Sequence, residues 1–200
     1  LVGSEMCIRD SSTTGAYSLT GLSGNDTLKG NGNADIINGG GGDDNIDGRG
    51  GNDEINAGAG DDIITVSSAG QGDGDTIDGG SGTDTLSLSS GSHAFATDAK
   101  LQNINSITLA STSTVIDLTG QTESLSITGG AQADTITAGS GDDIINGAGG
   151  ADIIKGAGGI DTISLGSSDS ASDIIIFDAS SGMDIIQQFT AGATNGDILK

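Results

Sequence analysis

The run GLSGNDTLK GNGNADIIN GGGGDDNID GRGGNDEIN AGAGDDIIT, residues 21–65, decides how this chain folds. It is five copies of one nine-residue unit, G-G-x-G-x-D-x-U-x with U a large aliphatic, set end to end without a gap. After the insert Val66–Ala69 the unit resumes at 70–78 and 79–87, and a second array runs over 129–137, 138–146, 147–155 and 156–164. In all eleven units the sixth position is Asp and the eighth is Ile or Leu, while the third, fifth, seventh and ninth positions drift. An x-U-x segment that alternates outward, inward, outward is a short strand with U facing a core. The six residues before it have the composition of a turn, because Gly at the first, second and fourth positions admits positive φ and lets main-chain carbonyls come close.

Composition supports a repetitive all-β chain. With 37 Gly, no Pro and 2% aromatic residues among 200, an ordinary packed globule is excluded. Lys and Arg number 6 against 28 Asp and Glu, a formal charge of −22, so neither nucleic acid nor an anionic membrane surface is an expected partner. The only Glu residues are Glu5, Glu54 and Glu123, and the short carboxylate of Asp suits a tight turn. High charge with few aromatics also marks disorder, but disorder does not hold one phase through eleven units.

The sixth-position Asp enters its strand facing the preceding turn. Carbonyl and carboxylate oxygens with no His or Cys nearby are hard donors, and they select Ca²⁺ over Zn²⁺ or copper. On these residues the units resemble the calcium-binding nonapeptides of the repeats-in-toxin (RTX), or haemolysin-type, family. The resemblance implies a parallel β-roll, a β-solenoid in which two nonapeptides make one coil. Several calcium ions would lie between turns stacked on the same edge, with ligands paired at a spacing of eighteen residues.

Carried over position by position, the resemblance puts metal ligands at Asp26, Asp44 and Asp62 along one edge of the first array and at Asp35 with Asp53 along the other. It adds Asp75 and Asp84 after the insert, and pairs Asp134 with Asp152 and Asp143 with Asp161 in the second array. The turn glycines of the sites are Gly24, Gly40, Gly42, Gly51, Gly58, Gly60, Gly80, Gly82, Gly139, Gly141, Gly150 and Gly159. Asn33, Asp73 and Gln132 depart from Gly at the fourth position, and Leu22, Asn31 and Arg49 at the second. The fifth-position Asp43 is expected to matter less than Asp44.

One inward aliphatic per nine ordered residues is little apolar burial to set against backbone entropy, and stacked aspartates repel. The metal-free roll is therefore expected to be mostly unfolded, with Ca²⁺ binding as the folding step.

Outside the arrays the pattern thins. Leu1–Asp10 shares nothing with the repeats, carries the sole Cys, Cys7, and resembles the translation of a sequencing-library adapter, so it is set aside as non-native; 11–20 is a lead-in. The arrays occupy 21–87 and 129–164. Between them, 88–128 is rich in Ser and Thr, and Leu101, Ile104, Ile107, Leu109, Val115, Ile116, Leu118, Leu125 and Ile127 give alternating runs expected to form metal-free coils. In 165–200, Asp173 with Ile175, Asp184 with Ile186 and Asp197 with Leu199 keep the sixth-to-eighth relation in a degenerate tail expected to cap the roll. The chain is expected to be a fragment, truncated at both ends.

Two motifs are decoys. Asp43-x-Asn45-x-Asp47-Gly48 with Glu54 satisfies the EF-hand spacing, but Gly-rich flanks cannot supply its two helices. His93, the one His, has no partnered nucleophile and is expected in a loop. No acid, base and nucleophile constellation is present, so no enzyme activity is expected within these residues. The function the resemblance implies is a calcium-binding module of a larger bacterial protein, secreted by a type I apparatus and folding outside the cell. The alternatives are a cell-surface adhesin engaging extracellular glycans, or the non-catalytic part of a secreted protease, lipase or epimerase. No apolar run is long enough to span a membrane.

Overall fold

The computed structural model describes residues 7–9, 15–67, 74–166, 171–179, 182–189 and 196–200. Among them there is no α-helix, only strands and the 3-10 turn Asp98–Lys100. The chain forms two compact units, Leu1–Ser89 with Ala99–Ser106, and Ser90–Asp98 with Ile107–Lys200. Each is a roll in which successive strands alternate between two parallel sheets.

In the first unit one sheet stacks Thr27–Lys29, Asn45–Asp47, Ile63–Val66 and Thr85–Leu88, placing Leu28, Ile46, Ile64 and Leu86 in one inward row. The other stacks Ser18–Thr20, Ile36–Gly41, Glu54–Ala59, Thr76–Ser81 and Leu101–Gln102, with Leu19, Ile37, Ile55, Ile77 and Leu101 in a second row. Both rows are buried, so the eighth position builds the core of this unit. The seventh position looks outward even when it is aliphatic: Ile36, Ile63 and Ile144 are exposed. The same geometry disposes of the EF-hand spacing, because Asn45–Asp47 is a strand and Glu54 starts the next.

The second unit repeats the plan. Ile127, Ile145, Ile163 and Ile186 form one row. His93, Ile116, Ile136, Ile154, Ile175 and Leu199 form the other. The Ser- and Thr-rich stretch thus supplies strands, including Gly91–Ala94, Ser106–Leu109, Thr114–Asp117 and Ser126–Thr128. Within it Val115 faces out while Ile116 and Leu118 face in. The tail adds Ile174–Ile175, Ile185–Gln187 and Ile198–Leu199 to the same sheets.

Two expectations need correction. His93 is not in a loop: it lies in a strand, fully buried, in the inward row opposite Ile116. The small residues of Ser90-Gly-Ser92 let that segment extend, and alternation then turns His93 and Phe95 inward together. Val66 is not loop insert but the last residue of a strand, buried opposite Leu88. Cys7–Arg9, foreign to the repeats, lies parallel to Thr27–Lys29, as an unpaired sheet edge accepts any extended segment.

The turns divide the glycines into two kinds. At the second and fourth positions φ is positive, as at Gly24, Gly40, Gly42, Gly51, Gly58, Gly60, Gly80, Gly82, Gly150 and Gly159. A Cβ on Gly42 would also stand 2.5 Å from the carbonyl carbon of Gly24 in the coil before. Gly139 and Gly141 are outside the positive-φ set, but a Cβ there would meet the carbonyls of Gln121 and Glu123.

At three of the second positions that are not Gly the left-handed conformation persists at a cost: φ is 69° at Arg49 and 70° at Ala148 and Ala157. A non-Gly residue in that region loses about 1–2 kcal/mol. Ala148→Gly is therefore expected to raise stability by about 1 kcal/mol, part of the gain being offset by unfolded-state entropy. A urea melt under folding conditions measures this, and an unchanged or lowered midpoint would contradict the strain.

Candidate metal centre

The sixth-position aspartates form four hydrogen-bonded columns. On one edge of the first unit the N–H of Asp26 donates to Asp44 Oδ1 at 2.8 Å, Asp44 to Asp62 at 2.7 Å, Asp62 to Asp84 at 2.9 Å, and Asp84 to Asn105 Oδ1 at 2.7 Å. On the other edge Tyr17 donates to Asp35 at 2.7 Å, Asp35 to Asp53 at 2.9 Å and Asp53 to Asp75 at 2.8 Å. In the second unit one column runs from Thr114 through Asp134, Asp152 and Asp173 to Asp197. Its fellow runs from Leu125 through Asp143 and Asp161 to Asp184. All eleven aspartates singled out in the repeats are buried in these columns.

The separation along a column is 18 residues within the arrays and 22 across the insert. Four members went unassigned in the sequence. Asn105 escaped because it carries an amide, although it stands two residues before the inward Ile107, as each repeat Asp stands two before an inward Ile or Leu. Asp173, Asp184 and Asp197 kept that same spacing after the glycines around them were lost.

The second carboxylate oxygen points at the turn. In three coils it accepts a main-chain N–H: Leu22 to Asp26 at 3.1 Å, Asn31 to Asp35 at 2.7 Å, and Gly130 to Asp134 at 2.7 Å. In Asp44, Asp62, Asp84 and Asp161 it is buried without a hydrogen-bond donor. First-position glycines make room for it. A Cβ on Gly30 would lie 2.5 Å from both Asp35 Oδ2 and the Gly48 carbonyl oxygen, and one on Gly21 2.5 Å from Asp26 Oδ2. This position is kept small for close approach and not for φ; Ala57 and Ala138 are the largest residues it admits in the described units.

A buried carboxylate oxygen lacking a donor carries the full desolvation cost of its charge. Burial accordingly pushes Asp53 and Asp143 up to about 7 and Asp75 up to about 6. It also raises Asp44, Asp62, Asp84, Asp134 and Asp161. The N–H from the preceding coil pulls each of these back, and for Asp44, Asp62 and Asp161 the next carboxylate in the column pushes up again. At Asp75 the Lys100 ammonium opposes the rise, its Nζ donating to the Gly74 carbonyl at 3.0 Å and to Thr76 Oγ1 at 3.3 Å.

Groups that hold protons more tightly folded than unfolded make folding take up protons. The stability they contribute is complete below the ordinary carboxylate pKa of about 4 and is lost as pH rises through their folded values of 6 to 7. In chelator, circular dichroism should therefore show more β structure near pH 5 than near pH 7.5. The reverse order would mean that the column carboxylates are solvated.

Among the described residues no three Asp, Glu, His or Cys side chains gather around one point. The carboxylates stand in single file, so a cation between two coils would take one from each and complete its shell with main-chain carbonyls. That donor set is all oxygen, and the donor-free Oδ2 atoms beside glycine-lined turns fit a hard cation.

No curated protein matches the chain. A family model described as the RTX calcium-binding nonapeptide repeat matches it in four copies, at 18–46, 39–68, 69–92 and 127–163. The matched segments cover more than half of the chain and contain all eleven repeat aspartates of the columns, so the chain belongs to the RTX calcium-binding nonapeptide repeat family.

Proposed function

We propose that this β-roll is the calcium-folded module of a larger exported bacterial protein. Calcium is held between successive turns by the sixth-position aspartates of the repeats together with carbonyls of their glycine turns. Asp44, Asp62, Asp84 and Asp161 carry the reading, because each buries a carboxylate oxygen that no hydrogen-bond donor reaches. A divalent ion there supplies positive charge to two neighbouring coils at once, which couples binding to stacking. Low calcium inside a cell would keep the chain extended for export, and higher calcium outside would fold it. In this reading the roll binds and folds, and any chemistry belongs to the rest of the parent protein.

Asp44→Asn tests the site. The amide keeps the Oδ1 acceptor for the Asp26 N–H but removes the charge and the second carboxylate oxygen. Calorimetric titration is expected to show calcium affinity lowered by roughly tenfold, the effect of losing on the order of 1.4 kcal/mol. Unchanged affinity would remove Asp44 from the site and the proposed ligand set with it.

A further inference from the structure

Beside the buried column on one edge of the first unit runs a second, exposed ladder made by the fifth-position residues. The N–H of Asp43 donates to Asn25 Oδ1 at 2.9 Å, that of Asp61 to Asp43 Oδ1 at 3.0 Å, and that of Thr83 to Asp61 Oδ1 at 2.8 Å. The second unit has the same bond from the Ile160 N–H to Asp142 Oδ1 at 2.8 Å.

The two ladders run in opposite senses. Asp44 Oδ1 reaches back to the N–H of Asp26 in the coil before, whereas Asp43 Oδ1 reaches forward to the N–H of Asp61 in the coil after. Adjacent residues therefore clamp a turn to both of its neighbours, and the N–H groups of Asp61 and Asp62 receive partners from opposite directions. Asn25 does for the Asp43 N–H what Asp43 does for the Asp61 N–H, and its Nδ2 also donates to Asp43 Oδ2 at 3.5 Å. An acceptor oxygen is common to both side chains, and a negative charge is not. On the other edge Ala34, and in the second unit Ala133 and Ala151, have no side-chain acceptor to offer the next coil.

We propose that Asn25, Asp43 and Asp61 are positioning residues of the calcium turns: each fixes the spacing of the next coil through a neutral-equivalent acceptor oxygen, and their charge is not used. The proposal rests on the calcium reading above and extends it to residues that bind no ion. A net hydrogen bond on a surface is worth up to about 1 kcal/mol, so its loss should shift a calcium midpoint by roughly two- to fivefold.

The test compares calcium titrations, followed by circular dichroism and calorimetry at about 0.15 M salt to screen exposed charge, for the parent chain, Asp43→Ala, Asp43→Asn and Asp44→Asn. Asp61→Ala and Asp61→Asn repeat the comparison one coil further along. Expected are a raised calcium midpoint for both Ala variants, recovery of the parent midpoint by both Asn variants, and a calorimetric stoichiometry that reports an unchanged number of bound ions. Parent-like midpoints in Asp43→Ala and Asp61→Ala would overturn the positioning role, as would Asn variants as weak as the Ala ones, since the carboxylate charge would then be what counts. If Asp44→Asn alone binds calcium like the parent, the fault lies with the calcium reading itself, and the two failures are told apart.

Discussion

Chelation of calcium at neutral pH is expected to abolish most of the β signal of this chain, and restoring Ca²⁺ should return it cooperatively at about 10⁻⁴ to 10⁻³ M, the range of extracellular calcium modules. The reason is electrostatic before it is hydrophobic. Each column holds carboxylates one above another, those of the repeats all buried, and at Asp44, Asp62, Asp84 and Asp161 one oxygen of each has no donor. Above pH 7 those groups are to be ionised in a site that resists ionisation, and the inward rows supply one aliphatic per strand to oppose this. A ligand that binds only the folded state shifts the balance in proportion to the logarithm of its concentration, and several such ions act together. A dichroism spectrum indifferent to chelator would show that the rows and ladders suffice by themselves.

Ile46→Asp is expected to prevent folding at any calcium concentration that folds the parent. Ile46 is fully buried between Leu28 and Ile64 in a row one side chain wide. A carboxylate placed there has no cation and no donor, and its burial costs several kcal/mol even after its pKa rises. The cost is not local, because the row is continuous and an interrupted row separates the coils on either side. Asn45, one residue earlier, is exposed on the outer face, so Asn45→Asp should fold near the parent midpoint with a small like-charge penalty. Calcium-dependent urea melts of both variants decide the matter, and tolerance of Ile46→Asp alongside failure of Asn45→Asp would invert the inward and outward faces.

The core and the columns were legible in the sequence because both depend on one residue type at one position. Ile or Leu at the eighth place and Asp at the sixth read directly as row and column, and the pairing of Asp26 with Asp44 or Asp143 with Asp161 follows from the coil length. What was less legible depended on geometry that several residue types can satisfy. Asn105 ends a column with an amide, and His93 fills a row otherwise aliphatic because the strand there is chosen by small neighbours and not by its own hydrophobicity. The two kinds of turn glycine look alike as letters. Only φ and the nearest atoms separate Gly42, which needs a left-handed backbone, from Gly30, which needs an absent side chain. The exposed ladder through Asn25, Asp43 and Asp61 lay hidden in a position that drifts, since Asn and Asp serve it equally.

The coil from Asp62 to Asp84 takes 22 residues where the one before it, from Asp44 to Asp62, takes 18, yet Ile64 still meets Leu86 and the column bond is 2.9 Å long. Register is thus carried by strands and columns and is indifferent to the length of a connecting loop. For a gene encoding such a chain, gain or loss of a whole nonapeptide hands every later strand to the opposite sheet, where an identical row receives it, and copy number can drift while the architecture persists. A single-codon shift inside a strand instead turns its inward residue outward. Freedom to insert or delete residues along this molecule is therefore quantised, wide in units of the repeat and at the loops, and close to nil inside each strand.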